Sequence, residues 1–323
     1  MERVLLSVVS AFRAGVRGLV TERAQVGPLE KLLRGAMMVP LYGGMLVLLR
    51  LWAGLRAPLL VTATTRYGGR FSCWLPDMIQ TYLYVFGVWE PDVTAFIRRR
   101  LRTGDTFVDV GANVGYHALL AAGSVAARGR VVAFEASPRI FRMLRDNLSG
   151  NGDPAAVRAV NVAVADVAGT MPIFRGPVQN IGLTTTVRGR GLQPDGQVAA
   201  APLPDLLEPG ETQAARLVKI DVEGAEDAVL RGMKHFLEEC RPDLEILVEL
   251  SPTWWDDAAR TPRQVLQPLM DAGFNVYRID NNLWPWRYLW PNDVRPPRRE
   301  RGALTRRVKR LDLVLSRVDG ETL

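Results

Sequence analysis

Cysteine is nearly missing from this chain, with Cys73 and Cys240 the only two in 323 residues. Two thiols make no disulfide framework and lack metal-ligand spacing. They read as reduced side chains packed as small apolar groups, and the expected location is a reducing cytoplasm. No RNA-binding signature or zinc finger occurs, so no nucleic-acid partner is expected. Internal repeats and low-complexity tracts are absent too. The first 16 residues, MERVLLSVVSAFRAGV, have an apolar run without a convincing cleavage site, so no removed signal peptide is expected. The run Ala36 to Leu49, AMMVPLYGGMLVLL, has 14 residues without a charge, short of the ~20 that span a bilayer. Pro40, Gly43 and Gly44 also weaken it as a helix.

What is present is a hydrophobic fraction of 48% with 23% charged residues, ordinary for a protein with a core. The net charge of +7 is uneven. Residues 1–60 carry 8 Lys/Arg against 3 Asp/Glu, residues 61–294 carry 24 against 27, and residues 295–310 carry 8 against 1. The middle is slightly acidic and the basic character sits at the ends. Such ends can meet anionic lipid or only water. Residues 1–60 read as an apolar, basic helical extension that packs on the body or lies at a membrane surface.

Residues 61–76 suggest a hairpin about Gly68 and Gly69, and residues 77–101 look helical with a break at Glu90-Pro91. From Thr106 strands and helices alternate: TFVDV, then YHALLAAGSVAA; VVAFEA, then PRIFRMLRDNL; VRAVNVAVA and MPIFR; RLVKIDV, then AEDAVLRGMKHFLEEC; LEILVEL, then PRQVLQPLMDAG; FNVYRI; and RLDLVLSRV. This alternation means a mostly parallel sheet with helices on both faces, a doubly wound α/β fold. VVAF and ILVEL are too continuously apolar for half-exposed strands.

In such a fold ligands sit beyond the strand carboxyl ends, where strand order reverses. The loop after TFVDV reads Asp109-x-Gly111-x-x-x-Gly115, without the third glycine of the dinucleotide fingerprint and without the GK[ST] of a phosphate loop. It suits a ligand with no pyrophosphate lying close against the backbone, such as S-adenosylmethionine; NAD stays open as the alternative. Glu135, 20 residues after Gly115, ends its strand where a carboxylate can accept both ribose hydroxyls. In KIDVEGAE, period two places Lys219, Asp221 and Glu223 on one side of a strand. Burying carboxylates is costly unless they are paired. The choice is therefore between an internal ion pair on Lys219 and a site at the cofactor and substrate end.

DVGANVGYH, AFEASP, the NVAVAD…G turn and KIDVEGAE together resemble the FkbM family of S-adenosylmethionine-dependent methyltransferases, over about Val88 to Leu250. The resemblance implies a seven-stranded Rossmann-like sheet with a last antiparallel strand, and methyl transfer to a hydroxyl of a sugar, glycolipid or secondary metabolite. The domain would run over 105–318, with a Trp- and Arg-rich insert at about 252–310 and a lead-in at 61–104. By resemblance and geometry Asp109, Gly111, Asn113 and Gly115 line the methionine end, Asp109 either binding the ammonium or orienting the loop. Ser137 assists Glu135, and Asp166 is either the adenine partner or a turn residue.

A hydroxyl nucleophile needs a base. His117, at the start of a helix that favours neutral imidazole, competes with Asp221 and Glu223. Glu249 and Glu90 are weaker candidates, and His235 is expected to be structural or exposed. An acid-rich mouth admits Mg²⁺, but no spacing demands it, and no metal is expected. Trp254 and Trp255 are candidate walls for the acceptor. N- or C-methylation, or a membrane-associated accessory role, are the alternative functions.

Overall fold

A computed structural model describes the chain except residues 153, 155, 256, 258, 303 and 305–307. Part of the arginine-rich segment 295–310 thus lies outside the described residues. By its contacts the chain forms two units, Met1–Ala95 with Val178–Asn180 and Asn281–Arg295, and Phe96–Pro177 with Ile181–Asp280 and Pro296–Leu323.

The first unit opens with two helices, α1 (Glu2–Gly18) and α2 (Pro28–Leu55), the second started by a proline at its first position, where the missing N–H has no helical partner to lose. The expected hairpin follows as β1 (Leu59–Thr64) and β2 (Arg70–Leu75), paired antiparallel from Leu59 opposite Leu75 to Thr64 opposite Arg70. Its alternation is clean: Leu59, Val61, Ala63, Phe71, Cys73 and Leu75 are buried, and their neighbours face solvent. Helix α3 (Met78–Phe86) is capped by Asp77, whose carboxylate accepts the Gln80 N–H at 3.0 Å. Edge-to-face and tilted contacts join Tyr42, Tyr82, Phe86 and Tyr288 into an aromatic core. The boundary between the units falls inside α4 (Pro91–Arg100).

The second unit holds the sheet. Its elements are β3 (Thr106–Val110), α5 (Tyr116–Val125), β4 (Arg130–Phe134), α6 (Pro138–Ser149), β5 (Val157–Val160), β6 (Ala163–Val164), β7 (Gly169–Arg175) and β8 (Gln193–Ala201). The short helices α7 (Leu203–Leu206) and α8 (Glu211–Ala214) lead to β9 (Ala215–Ile220), α9 (Glu226–Gly232), α10 (Lys234–Glu239), β10 (Glu245–Leu250), α11 (Pro262–Asp271), β11 (Asn275–Arg278), β12 (Arg298–Arg299) and β13 (Leu311–Ser316). The main sheet runs β12-β11-β13-β10-β9-β3-β4-β5. Strands β5, β4, β3, β9 and β10 are mutually parallel, and β13 is inserted antiparallel between β10 and β11. The strand count is eight rather than seven, the extra being two-residue β12 at the edge.

The core explains why these runs are strands. Val108, Val132, Val218, Ile246, Val248 and Leu313 are buried on one face of the sheet, and Phe107, Val131, Leu217, Leu247 and Val314 are buried on the other, which requires continuously apolar strands. The expected strand VRAVNVAVA is broken at Asn161, whose side-chain amide donates to the carbonyls of Glu135 at 2.8 Å and Ala136 at 3.0 Å. After this break β6 joins β8 and β7 in a separate three-stranded sheet, β7 holding the expected strand MPIFR. The chain winds outward from β3 to β5, then returns to place β9 beside β3. That pair is the switch point, and its carboxyl end is where an open α/β sheet forms a crevice.

Candidate active site

Two loops leave the switch point side by side. Gly111 follows β3 with φ +86°, and a Cβ there would sit 1.9 Å from the Asp221 carbonyl oxygen. Only glycine permits both this backbone conformation and this approach. Gly115, at φ +89°, would set a Cβ 2.5 Å from Leu144 on α6. The backbone conformation thus calls for glycine at both positions, and at Gly111 the approach of the Asp221 carbonyl does so as well. Between them Asn113 takes the left-handed conformation at φ 51°, which asparagine tolerates, and its side-chain oxygen accepts the Val114 N–H at 2.7 Å.

Glu135 braces this loop. One carboxylate oxygen accepts the Asn113 N–H at 2.9 Å and the other accepts the Ser137 N–H at 2.8 Å. Burial pushes its pKa up to about 7, against the pull of those two N–H groups. Ser137 is the N-cap of α6, its hydroxyl accepting the Ile140 N–H at 3.4 Å. Asp166 accepts both the Nε and a terminal nitrogen of Arg231, at 3.0 and 2.9 Å.

Asp109 stands opposite Lys219 across the β3–β9 pairing. It is fully buried, and among the described residues neither carboxylate oxygen has a hydrogen-bond donor; the Lys219 ammonium is 3.7 Å away. Burial raises its pKa to about 6, with Lys219 opposing and Asp221 adding to the rise. Asp109 is thus closed off from solvent beside Lys219. Lys219 donates to Asp221 at 3.1 Å. The ion pair expected as one alternative is present, with Lys219 between Asp109 and Asp221.

The expected alternation past Lys219 stops early, because β9 ends at Ile220. The Asp221 N–H still donates to the Val110 carbonyl at 2.9 Å. Glu223 then takes φ 55°, a sparsely populated conformation for a glutamate. Its carbonyl is held by two donors, the Thr185 hydroxyl at 2.9 Å and the Arg190 guanidinium at 2.8 Å. The carboxylates of Asp221, Glu223 and Glu249 bring oxygens within 4.8 Å of one another. Burial, then Asp221, drives the Glu223 pKa well above the carboxylate range. Arg310 lies 3.7 Å from Glu249 and supplies positive charge to this group.

His117, in the first turn of α5, is buried beside Tyr116, and burial with nearby Lys219 pushes its pKa well below the ordinary value. It is a neutral imidazole across the physiological range. His235 is exposed and pairs with Glu238. Of the candidate walls, Trp254 lies beneath the Arg190 guanidinium, while Trp255 turns inward and donates its indole N–H to Glu226 at 2.9 Å. Glu90 belongs to the first unit, where it accepts from Asn281 at 2.8 Å.

Three residues carry site geometry that the sequence reading did not assign: Thr185, Arg190 and Glu226. Glu226 is fully buried, accepts the Gly224 N–H at 2.6 Å as well as Trp255, and has its pKa raised to about 7 by burial. Its place as the last letter of KIDVEGAE was the available signal. Nothing in sequence marked Thr185 or Arg190, which lie over 30 residues from the turn they hold.

The residues fit S-adenosylmethionine. A strand-terminal Glu135 uses one acceptor direction of each oxygen and keeps capacity for two hydroxyls. The crevice is rich in buried carboxylates, which suits a ligand of net positive charge.

A family model for the methyltransferase FkbM domain matches residues 109–276. The chain is 28% identical over 186 residues to hexuronic acid methyltransferase AglP of Haloferax volcanii, covering 57% of this chain and 72% of that one. It is 28% identical over 205 residues to methyltransferase sdnD of Sordaria araneosa, covering 55% and 76%. Among solved structures, an FkbM methyltransferase from Methylobacillus flagellatus matches at 14% identity and TM-score 0.37, covering 74% of this chain and 52% of that one. An S-adenosylmethionine-dependent O-methyltransferase from Thermotoga maritima matches at 12% identity and TM-score 0.39, covering 88% and 83%.

Proposed function

The chain belongs to the FkbM methyltransferase family, with S-adenosylmethionine as methyl donor, and on that premise we propose that it methylates a hydroxyl oxygen of a sugar, glycolipid or secondary metabolite. The observation that carries the oxygen acceptor is the Asp221–Glu223–Glu249 group at the carboxyl end of β9 and β10. A hydroxyl is a poor nucleophile until its proton leaves, and a carboxylate whose pKa is raised toward the working pH is suited to take it. Burial and Asp221 push the Glu223 pKa upward, and its backbone is fixed by Thr185 and Arg190. Its neighbours Asp221 and Glu249 make a second or third acceptor for the same proton. His117 is driven to low basicity by burial, which supports Glu223 as the base and a positioning role for His117 beside the loop. The relative named for a hexuronic acid supports a sugar acceptor.

When bound, the donor supplies an electrophilic methyl on a cationic sulfur. The protein's part is alignment, through a loop pinned at Gly111, Asn113 and Gly115, and proton removal. The test is transfer of labelled methyl to a panel of hydroxylated sugars, uronic acids and amines, with the product linkage identified. Methyl in an ether linkage is expected, and Glu223→Gln should lower turnover by about 10²-fold while S-adenosylhomocysteine still binds. Methyl on nitrogen or carbon, or a Glu223→Gln enzyme of full activity, would overturn the reading.

A further inference from the structure

Helix α2 carries two apolar stripes on opposite sides. Met38, Tyr42, Met45 and Leu49, spaced by four, three and four, are buried within the first unit. On the opposite side Leu29, Leu33, Ala36, Pro40, Val47 and Leu51 fall within one narrow arc at 100° per residue, and all are exposed. Leu32, Met37, Val39 and Leu55 flank them, Leu55 being 82% exposed. A helix apolar all round belongs in a protein core or in lipid. Here one side has its core and the other has nothing among the described residues.

What surrounds the open stripe says what covers it. No charge occurs from Gly35 to Leu49. Exposed arginines stand at both ends and beside it, Arg23 before the helix, Arg50 within its last turns and Arg56 just after it. The one acidic residue of the helix, Glu30, is tied to Arg23 at 2.9 Å and Arg34 at 2.8 Å. Residues 1–60 as a whole carry 8 basic against 3 acidic side chains. Two tryptophans, Trp284 and Trp286, stack at 4.8 Å with an interplanar angle of 6° and stay exposed, Trp284 by 61%. Trp286 packs beside Gly35, a Cβ on which would lie 4.0 Å from the Trp286 Cβ. Exposed indoles at the border of an apolar strip are placed as they are at a lipid–water boundary. By length and composition α2 is apolar enough to cross a bilayer. Its inner stripe, however, is already sealed on α1 and the Tyr42–Tyr82–Phe86 rings, which leaves the outer face alone for lipid.

We propose that the outer face of α2, bordered by Trp284 and Trp286 and flanked by Arg23, Arg50 and Arg56, docks in the plane of an anionic lipid bilayer. The apolar stripe enters the acyl boundary and the arginines meet the headgroups. This goes beyond the methyl-transfer reading and does not depend on it.

Flotation of the full chain with vesicles tests it, using phosphatidylcholine alone and a three-to-one mixture with phosphatidylglycerol. The chain should float with the mixed vesicles, less so as salt rises, and be released by alkaline carbonate. Val47→Glu or Leu51→Glu, both at exposed positions, should each weaken capture at least about tenfold, while S-adenosylhomocysteine binding and the thermal midpoint stay at wild-type values. Equal capture on neutral vesicles would overturn the choice of anionic lipid. Resistance to carbonate extraction would overturn in-plane docking in favour of a span. A wild-type dimer that Leu51→Glu makes monomeric, with no flotation of either, would overturn the proposal in favour of a second copy of the chain. A monomer that stays with no vesicle would overturn it outright.

Discussion

Asp109 and Lys219 face each other on adjacent parallel strands, carboxylate and ammonium 3.7 Å apart, both buried at the point where strand order reverses. Lys219 also holds Asp221, so one ammonium sits between two carboxylates. Lys219→Met removes the positive partner of both. Taking one member out of a buried pair leaves charge uncompensated, and the expected loss is about 3 kcal/mol of folding stability. Asp109→Asn in the same chain should restore part of it. Urea unfolding of the single and double variants measures both, and an unchanged midpoint in Lys219→Met would show that the ion pair carries no weight.

Glu135 ties the loop after β3 to the start of α6 and keeps acceptor capacity for a ligand. Glu135→Ala should therefore lose binding of S-adenosylhomocysteine by about 100-fold or more, since removing an acceptor leaves both loop donors and ligand hydroxyls without partners. Glu135→Gln retains one carbonyl oxygen and should fall between. Calorimetric titration of the three proteins gives the order directly, and equal affinities would remove Glu135 from the cofactor site.

Acidity gives a third expectation. Asp109, Glu135 and Glu226 have pKa values raised to about 6, 7 and 7 from ordinary values of 3.8, 4.5 and 4.5. The folded protein thus holds protons that the unfolded chain has released, and stability declines as pH rises through this interval. The ligand-free thermal midpoint should fall between pH 5 and 8, counting these groups alone. A cationic ligand acts in the opposite direction, favouring the ionised carboxylates. Binding of S-adenosylmethionine should tighten across about pH 6 to 7 with release of protons. Titrations in buffers of different ionisation enthalpy detect that release. Proton uptake, or none, would mean that these carboxylates do not sense the ligand.

Much of this was legible because it is local. The strand–glycine–helix run from Phe107 to His117, the strand-terminal Glu135 and the KIDVEGAE turn each declare themselves within about ten residues. Their meeting follows from the winding of parallel strands, which fixes where carboxyl ends converge. What stayed hidden depends on distant partners. Asn161 breaks a strand by reaching two carbonyls 25 and 26 residues back. Arg190 and Thr185 clamp the Glu223 carbonyl from 33 and 38 residues away. The apolar run of α2 was visible, but period alone could not say that one stripe is packed and the other open. The role of Lys219 needed the register of β9 against β3, which no single strand contains.

Trp255 and Glu226 give the last prediction. They are joined by a 2.9 Å hydrogen bond between side chains 29 residues apart, one after β10 and the other in the first turn of α9. Trp255→Phe keeps the aromatic bulk and removes the N–H. Glu226 retains the Gly224 N–H, so its desolvation is only partly uncompensated, and the expected loss is about 1–2 kcal/mol. The pKa of Glu226 should rise further, since the lost donor favoured its ionised form. The variant should therefore be destabilised more at pH 8 than at pH 6, where the carboxyl is protonated in either protein. Because Gly224 and Glu223 share the turn that Glu226 supports, turnover should drop with stability. Denaturant midpoints at the two pH values distinguish this from simple loss of packing, which would lower both equally.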